Sequence, residues 1–316
     1  MSIKRTKILV TGGAGFIGSH LAHRLVDEGY DVVILDNLNR GKVEYISDLI
    51  SKKQAKFIQG DVRDYKTVYE CMKDAKYVFH EASLCINYCF AHPQECLDVN
   101  IDGSFNVFKV AKELAVNRVI FASSASVYGN ATHFPTNEDD QLRPLTPYCV
   151  SKITGEYLLK ISGLEYNILR YFNVYGARQS TDAFYTSVIV NFIKKLLVNE
   201  PPTIHGDGEQ SMDFVNVHDI VEANYRAMLT KRVNEVYNVA SGKSTSVNDL
   251  FRLLSQIMGS KIKPVYKPFP ATGKLVIRRL ADISKTESIG WKPRTDLEKG
   301  LSELADDVKK NLAFYG

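Results

Sequence analysis

Short apolar runs alternate along the chain with longer stretches in which apolar residues recur every three or four positions. The runs lie at residues 8–10, 31–35, 55–59, 77–80, 118–122 and 168–172. Short, mostly apolar runs are typical of strands that are buried on both faces of a parallel sheet. The stretches between them, such as residues 19–28 and 188–197, predict amphipathic helices. The pattern therefore predicts an α/β fold with a doubly wound parallel sheet and helices on both of its faces.

A glycine-rich turn joins the first predicted strand to the first predicted helix. Residues 11–18 read Thr-Gly-Gly-Ala-Gly-Phe-Ile-Gly, and such glycines let the backbone approach a pyrophosphate at a helix N-terminus. Asp36 ends the second strand, where its carboxylate is expected to bind the adenine ribose hydroxyls and to repel a 2′-phosphate. Glycine turns also occur in unrelated α/β proteins. Strand, turn, helix and acid together favour a Rossmann-type domain that binds NAD rather than NADP.

The composition argues against several other classes of protein. The 316 residues carry 40 basic and 36 acidic side chains, and their net charge of +4 is too small for a nucleic-acid-binding surface. No apolar run is long enough to cross a membrane, so no membrane association is expected. The seven histidines show no metal-binding spacing, and no metal is predicted. Five cysteines without a Cys-x-x-Cys pair favour reduced thiols and a cytoplasmic location over a disulfide framework.

Tyr148 and Lys152 lie four residues apart at the start of a predicted helix, so their side chains are expected on one face. A tyrosine titrates near pKa ~10 in water, and a nearby cation favours its phenolate, which would make Tyr148 a usable general acid/base. The alternative is a surface helix that happens to begin Tyr-x-x-x-Lys. Ser124 follows a predicted strand 24 residues before Tyr148, at the sheet edge where ligands bind.

The glycine turn and the Tyr-x-x-x-Lys sequence together resemble the extended short-chain dehydrogenase/reductase superfamily, in particular its nucleotide-sugar epimerases. The resemblance covers nearly the whole chain. It implies that Ser124, Tyr148 and Lys152 are the catalytic residues, with Ser123 as a secondary candidate. The residues that it implies for NAD binding are Gly12, Gly15, Phe16, Ile17, Gly18, Asp36, Asn37, Asp61, Val62, Ala82, Ser83, Asn100, Tyr148, Lys152 and Tyr171. The residues that it implies for substrate binding are Ser124, Ser126, Asn173, Arg178, His205, Arg278 and Arg279.

The resemblance also implies two interleaved domains and a homodimer. Residues 1–172 and 213–240 are expected to form the NAD-binding Rossmann domain, and residues 173–212 and 241–316 a smaller α/β domain that binds the nucleotide sugar. Helices at residues 100–115 and 148–159 are expected to pair in the dimer. His80, Cys85 and Cys89 are expected to have structural roles.

Residues 125 and 126 bear on the type of reaction. Related 4,6-dehydratases and decarboxylases carry acidic residues there, whereas this chain has Ala125 and Ser126, and neither can serve as an acid or base at neutral pH. The resemblance then implies epimerisation of a UDP-hexose at carbon 4 through transient oxidation by bound NAD, with Tyr148 as acid/base and Lys152 stabilising its anion. The alternatives are an epimerase acting at another carbon, a nucleotide-sugar reductase or dehydrogenase, and a non-catalytic NAD-sensing protein.

Two departures from the family pattern leave the nucleotide open. Met212 stands where relatives have an arginine that pairs with the diphosphate, and Thr272 stands near the place of a second arginine. Arginine is suited to bidentate phosphate contacts, so neither change is conservative. Lys274, Arg278 and Arg178 are candidates to compensate.

Arg279 is a third departure, and it leaves the sugar open. In sugar 4-epimerases a bulky residue at this place excludes N-acetyl sugars. Three roles are open for Arg279. It could exclude N-acetyl sugars, pair with a carboxylate or phosphate, or be a solvated arginine on a loop.

Overall fold

The computed structural model describes residues 5–179, 187–269 and 276–315. The strands within these ranges are β1 (Lys7–Thr11), β2 (Asp31–Asp36), β3 (Ala55–Gln59), β4 (Ala75–His80), β5 (Arg118–Ser124), β6 (Tyr166–Tyr171), β7 (Asn173–Tyr175), β8 (Thr203–His205), β9 (Ser211–Met212), β10 (Phe214–Asn216), β11 (Glu235–Val239), β12 (Thr245–Ser246) and β13 (Val265–Lys267). The α-helices are α1 (Phe16–Asp27), α2 (Ser47–Ser51), α3 (Tyr65–Met72), α4 (Ile86–Ala91), α5 (Pro93–Leu97), α6 (Ser104–Glu113), α7 (Pro147–Ile161), α8 (Ser187–Leu197), α9 (Val217–Leu229), α10 (Val247–Ile257), α11 (Ser284–Glu287) and α12 (Leu297–Lys310). A π-helical turn, Asp98–Gly103, leads into α6, and short 3₁₀ turns include Ala125–Tyr128 and Leu312–Phe314.

Seven parallel strands form the central sheet in the order β11-β6-β5-β4-β1-β2-β3. The chain adds β2 and β3 on one side of β1 and then crosses back to add β4, β5, β6 and β11 on the other. The order therefore reverses between β1 and β4, and such a switch point is where doubly wound sheets bind ligands. The predicted fold class is confirmed.

Alternate side chains of each central strand are buried in different cores. In β1, Ile8 and Val10 belong to the core that includes Leu21 of α1, whereas Leu9 belongs to the core that includes Val107 of α6. This two-residue alternation follows from the pleat of a strand. Burial on both faces explains why the strands are recognisable as short apolar runs.

A third core lies outside the central sheet. Helices α8, α10 and α12 pack together there through side chains that include Phe192, Leu250 and Leu301. Small strand pairs flank these helices: β7 with β10, β8 with β13, and β9 with β12. The two-domain division with the boundaries given above remains a prediction.

The expectation of reduced thiols throughout is wrong, because the structure pairs Cys89 with Cys96 in a disulfide. The reversal between α4 and α5 brings their Cα atoms to 4.9 Å, within the distance that a disulfide spans. Cys71, Cys85 and Cys149 are free thiols.

No helix within the described ranges is both long and apolar enough to cross a membrane. Among the described side chains, no group of three or more His, Cys, Asp or Glu is placed to hold a metal ion.

Candidate active site

A cleft of about 580 Å³ opens at the carboxyl ends of the strands around the switch point. This volume is typical of a site for a small molecule or cofactor. The predicted NAD-binding residues that line it are Gly12, Gly15, Phe16, Ile17, Gly18, Asp36, Asn37, Val62, Ala82, Ser83 and Tyr148. The local patterns in the sequence therefore come together in one place.

The glycine turn has the close backbone packing that its sequence predicts. Gly12 has a φ of +67°, and a Cβ atom there would lie 2.7 Å from the backbone nitrogen of Ala82. A Cβ atom on Gly18 would collide with the carbonyl oxygen of Gly12. Gly15 is the N-cap of α1 and offers no side chain to the first N–H groups of that helix. Those N–H groups and the positive end of the helix dipole suit a pyrophosphate, so the turn fits NAD.

Two carboxylates follow the glycine turn along the sheet edge. Asp36 lines the cleft and accepts hydrogen bonds from the backbone N–H groups of Ala14 and Leu38, at 3.0 and 2.8 Å. Burial raises the pKa of Asp36, and these two bonds oppose that effect. Asp61 instead binds Arg63 and accepts a bond of 3.0 Å from the amide of Asn37. Burial alone would raise the pKa of Asp61, but these bonds hold it at about 2.

The three predicted catalytic residues lie together. Helix α7 starts at Pro147, where the Thr146 hydroxyl accepts a hydrogen bond from the N–H of Cys149. This start places Tyr148 in the first turn, near Ser124 at the end of β5. One turn later, the ammonium of Lys152 donates to the Ala122 carbonyl at 2.8 Å and lies 5.7 Å from the centroid of the Tyr148 ring.

The electrostatics of this group differ from the expectation. Burial raises the pKa of Tyr148 above its ordinary value, and the nearby Ser124 side chain opposes that increase only in part. Burial also lowers the pKa of Lys152 to about 8, while the carboxylates of Glu81 and Glu156 favour its charged form. In this structure desolvation therefore outweighs the stabilisation of a phenolate that the sequence suggested.

Glu81 brings a carboxyl group into the cleft directly after β4. Its Oε1 accepts a hydrogen bond of 2.8 Å from the Tyr171 hydroxyl, which also bonds the amide of Asn224. Burial raises the pKa of Glu81 to about 7, against the opposing effects of Tyr171 and Lys152. Glu81 therefore lines the cleft, and its charge acts on the buried Lys152.

Two further residues predicted to bind NAD lie behind the cleft lining. Asn100 is buried, and its amide bonds the backbone N–H and carbonyl of Leu84 at 2.7 and 3.3 Å. It thereby holds Leu84, which does line the cleft. Tyr171 is buried behind Glu81. Direct contacts of Asn100 and Tyr171 with NAD remain predictions.

The predicted substrate residues are dispersed. The Ser126 hydroxyl donates to the Ser124 hydroxyl at 2.9 Å, so it lies beside the predicted catalytic residues. Asn173 is buried at the start of β7, and no group in the described part of the chain hydrogen-bonds its Oδ1 atom. His205 is exposed and contacts the carbonyl of Pro268. Arg178 lines the NAD cleft.

Ser123, the secondary catalytic candidate, has a structural role. It is buried, and its hydroxyl donates to Glu156 at 2.5 Å. His80 is likewise structural, as expected, since its ring bonds the hydroxyls of Thr11 and Ser104 at 2.7 and 2.9 Å. Burial lowers the pKa of His80 to about 3.

Met212, which departs from the family pattern, is buried, whereas Arg278, a candidate to compensate for it, is exposed. Met212 is buried in the third core, which offers no place for a phosphate contact at that position. Arg278 is exposed and lies over the ring of Phe134, 4.6 Å from its centroid. Thr272 and Lys274 lie outside the described residues.

The solvated alternative for Arg279 is wrong. Only 7% of this residue is exposed, and its guanidinium donates to the Ala125 carbonyl at 2.6 Å. Its backbone N–H also bonds the Ser211 carbonyl, at 2.9 Å. The guanidinium is therefore held against the loop that follows Ser124.

Several cleft residues have no counterpart among the predicted site residues. They include Arg40, Lys42, Tyr45, Ala313 and Phe314. Arg40 and Lys42 follow Asp36 closely in the sequence. A basic loop directly after the second strand could therefore have indicated that these side chains line the cleft. By contrast, no pattern in the sequence around Phe314 indicates that this residue lies near the glycine turn at residues 12–18.

A Rossmann-type sheet with a dinucleotide turn, and with Ser124, Tyr148 and Lys152 together at its edge, defines an NAD-dependent enzyme class of the short-chain dehydrogenase/reductase type. The chain belongs to the NAD dependent epimerase/dehydratase family, whose model matches residues 8–240. The predicted family and the predicted NAD cofactor are thus confirmed.

Individual relatives cover almost the whole chain. A Methanocaldococcus jannaschii protein with a provisional UDP-glucose 4-epimerase name is 40% identical over 312 residues, which cover 96% of this chain and 99% of the relative. The UDP-glucose 4-epimerase of Thermotoga maritima, solved with UDP-glucose, is 37% identical with a TM-score of 0.89, covering 97% of this chain and 100% of that chain. The UDP-N-acetylglucosamine 4-epimerase of Methanobrevibacter ruminantium, solved with UDP-N-acetylmuramic acid, is 37% identical with a TM-score of 0.91. The match covers 98% of this chain and 99% of that chain.

Proposed function

We propose that this protein is an NAD-dependent nucleotide-sugar epimerase that acts at carbon 4 of a UDP-hexose. The observation that carries the proposal is the grouping of Ser124 and Tyr148 beside the NAD cleft, with the Lys152 ammonium 5.7 Å from the centroid of the tyrosine ring. The similar proteins described above are named as 4-epimerases of UDP-sugars.

Each member of the catalytic group has a distinct task. Tyr148 removes the proton from the sugar 4-hydroxyl and later returns it, and Ser124 holds the hydroxyl in place. Lys152 favours the Tyr148 anion against the effect of burial. When bound, NAD supplies the hydride acceptor at carbon 4 and gives the hydride back, so the reaction has no net redox change.

The surroundings of Ser124 support epimerisation over dehydration. Elimination of water from the sugar needs an acid and a base in addition to the tyrosine. Ala125 is buried and its carbonyl is taken by Arg279, while the Ser126 hydroxyl bonds Ser124. Neither position supplies a carboxyl group to the reacting sugar.

An unpaired buried acceptor on Asn173 and the buried guanidinium of Arg279 support a polar ligand. The buried Oδ1 of Asn173 is an unused acceptor among the described residues, and leaving such an atom unpaired costs free energy. A ligand that donates a hydrogen bond to it would remove that cost. Arg279 would then limit the size or set the charge of the sugar on the Ser124 side.

The decisive experiment is a substrate panel. The purified protein is incubated separately with UDP-glucose, UDP-galactose, their N-acetyl forms and UDP-glucuronate, and the products are separated by chromatography. We expect interconversion of a C4 pair without net NADH. Stoichiometric NADH formation would instead identify a dehydrogenase, and conversion of only a differently based nucleotide sugar would disprove the UDP assignment.

Tyr148→Phe tests the proton-transfer role. We expect kcat to fall by roughly 10²–10⁴-fold, since a positioned acid/base contributes about that much. Tyr157→Phe is a matched control, because Tyr157 is on the same helix but 56% exposed and outside the cleft lining. Turnover of Tyr148→Phe at the level of this control would disprove the role.

We also propose that the protein is a homodimer. Phe105 on α6 and Val150 and Ile161 on α7 leave large apolar surfaces exposed, on the helices that the resemblance pairs between subunits. Light scattering measures the mass directly, and a monomer at micromolar concentration would contradict this proposal.

A further inference from the structure

The segment Leu312–Tyr315 returns to the glycine-turn end of the NAD cleft. Phe314 lines the cleft, and its ring centroid lies 6.3 Å from that of Tyr45. Lys42 donates to the Phe314 carbonyl at 3.1 Å, and its ammonium lies 5.2 Å from the Phe314 ring centroid. This segment therefore forms part of the cleft wall.

Arg178 joins the segment to helix α1. Its φ is +66°, a strained left-handed conformation for a residue with a side chain. The backbone N–H donates to the Tyr315 hydroxyl at 3.1 Å, and the guanidinium donates to the Ser19 hydroxyl, also at 3.1 Å. Ser19 lies in the first turn of α1, next to the glycine turn. These bonds hold Arg178 at the end of the cleft that suits phosphates.

Tyr315 anchors the segment from behind. Only 2% of it is exposed, and its hydroxyl donates to Asp307 on α12 while its carbonyl accepts a bond of 3.1 Å from Lys194 on α8. Phe314, by contrast, is 44% exposed. Tyr315 is thus held in place by its contacts, while the Phe314 ring lies at the cleft.

The charges at this end of the cleft match a pyrophosphate. Arg40, Lys42 and Arg178 all line it. Lys42 is also tied to the glycine turn, because its backbone N–H donates to the Ala14 carbonyl at 3.0 Å. Cations around a helix N-terminus add to the attraction that its N–H groups exert on an anion.

We propose that Phe314, Tyr315 and Arg178 form a clamp over the phosphate and adenosine-ribose part of bound NAD, and that this clamp slows NAD release. The clamp gives Arg178 a cofactor role in place of the substrate role that the sequence suggested. An enzyme that returns its hydride in every turnover gains from such retention, since its NAD need not leave. The inference rests on NAD binding alone and does not depend on which sugar is epimerised.

The test measures how fast NAD leaves the full-length protein in the absence of sugar. Protein loaded with NAD is diluted into an excess of an NAD-consuming enzyme, and the NAD still bound is quantified over time by chromatography. We expect Phe314→Ala to release NAD about tenfold faster, which corresponds to ~1.4 kcal/mol. Tyr315→Phe keeps the buried ring but removes the hydroxyl that bonds Arg178, and we expect faster release there as well.

Leu312→Ala is the matched control. Leu312 lies in the same turn and is 45% exposed, but it does not line the cleft. We expect its NAD release to match wild type. Wild-type release from Phe314→Ala, or equally fast release from Leu312→Ala, would overturn the clamp. Because Phe314 is partly exposed, its variant tests the proposal even if Tyr315→Phe fails to fold.

Discussion

Replacing Glu156 with glutamine should destabilise the protein through the buried ion pair that it forms with Arg170. The Glu156 side chain is fully buried and that of Arg170 is 3% exposed. Two parallel bonds of 2.9 and 2.7 Å join them, and Ser123 donates to the same carboxylate. The pair fixes α7, which carries Tyr148, against β6.

The expected cost follows from what the substitution leaves behind. Arg170 keeps its charge in the interior, where loss of one partner of a buried ion pair costs ~3–5 kcal/mol. Its Nη1 still donates to the Tyr128 hydroxyl at 2.8 Å and to the Glu138 carbonyl at 2.9 Å. Because these bonds remain, we expect Glu156→Gln to cost about 3 kcal/mol, the lower end of that range.

Urea unfolding followed by circular dichroism measures this cost as the change in unfolding free energy. Glu70→Gln is a control for an exposed pair, since Glu70 accepts a bond of 2.8 Å from Lys73 on the surface and its loss should leave the unfolding free energy near that of wild type. The double variant Glu156→Leu, Arg170→Met removes both charges and should be more stable than Glu156→Gln. A cost below about 1 kcal/mol for Glu156→Gln would refute the reasoning.

Two further substitutions act on the cleft itself. Glu81→Gln removes a negative charge that favours protonated Lys152, whose pKa is about 8. Lys152 carries its charge below that pKa, so the alkaline decline of kcat should move to lower pH, and an unchanged pH profile would contradict this role. Gly18→Ala places a Cβ against the Gly12 carbonyl and 2.8 Å from the Gly13 Cα atom. Such overpacking costs ~1–3 kcal/mol, so calorimetry should show NAD binding weakened by roughly 5–150-fold, and an unchanged Kd would count against the tight turn.

The parts of the fold and site that the sequence predicts are those encoded locally. A buried parallel strand needs a short apolar run, and a pyrophosphate turn needs glycines at fixed spacing. Tyr148 and Lys152 share one helix, so their spacing alone places them together. Ser124, at the end of its own strand, had to lie at the same sheet edge once that strand was recognised.

The parts that the sequence does not predict depend on contacts between distant segments. Phe314 meets Tyr45 only because α12 ends beside the NAD cleft. Arg279 is buried and its backbone pairs with Ser211, and neither residue type signals that pairing. Desolvation of Tyr148 also depends on the assembled site, which is why an argument from the Lys152 charge alone gave the wrong direction for its pKa.

The two acidic residues that favour the Lys152 charge differ in what else they do, and the difference separates fold from chemistry. Glu156 is paired with Arg170, so its removal affects the packing of α7 and the charge of Lys152 together. Glu81 accepts one hydrogen bond from Tyr171, which a glutamine oxygen can also accept. Glu81→Gln should therefore shift the pH profile with little loss of stability, whereas Glu156→Gln should change both. If the two variants shift the profile equally while only one is destabilised, the charge of Lys152, and not the rigidity of α7, limits proton transfer at Tyr148.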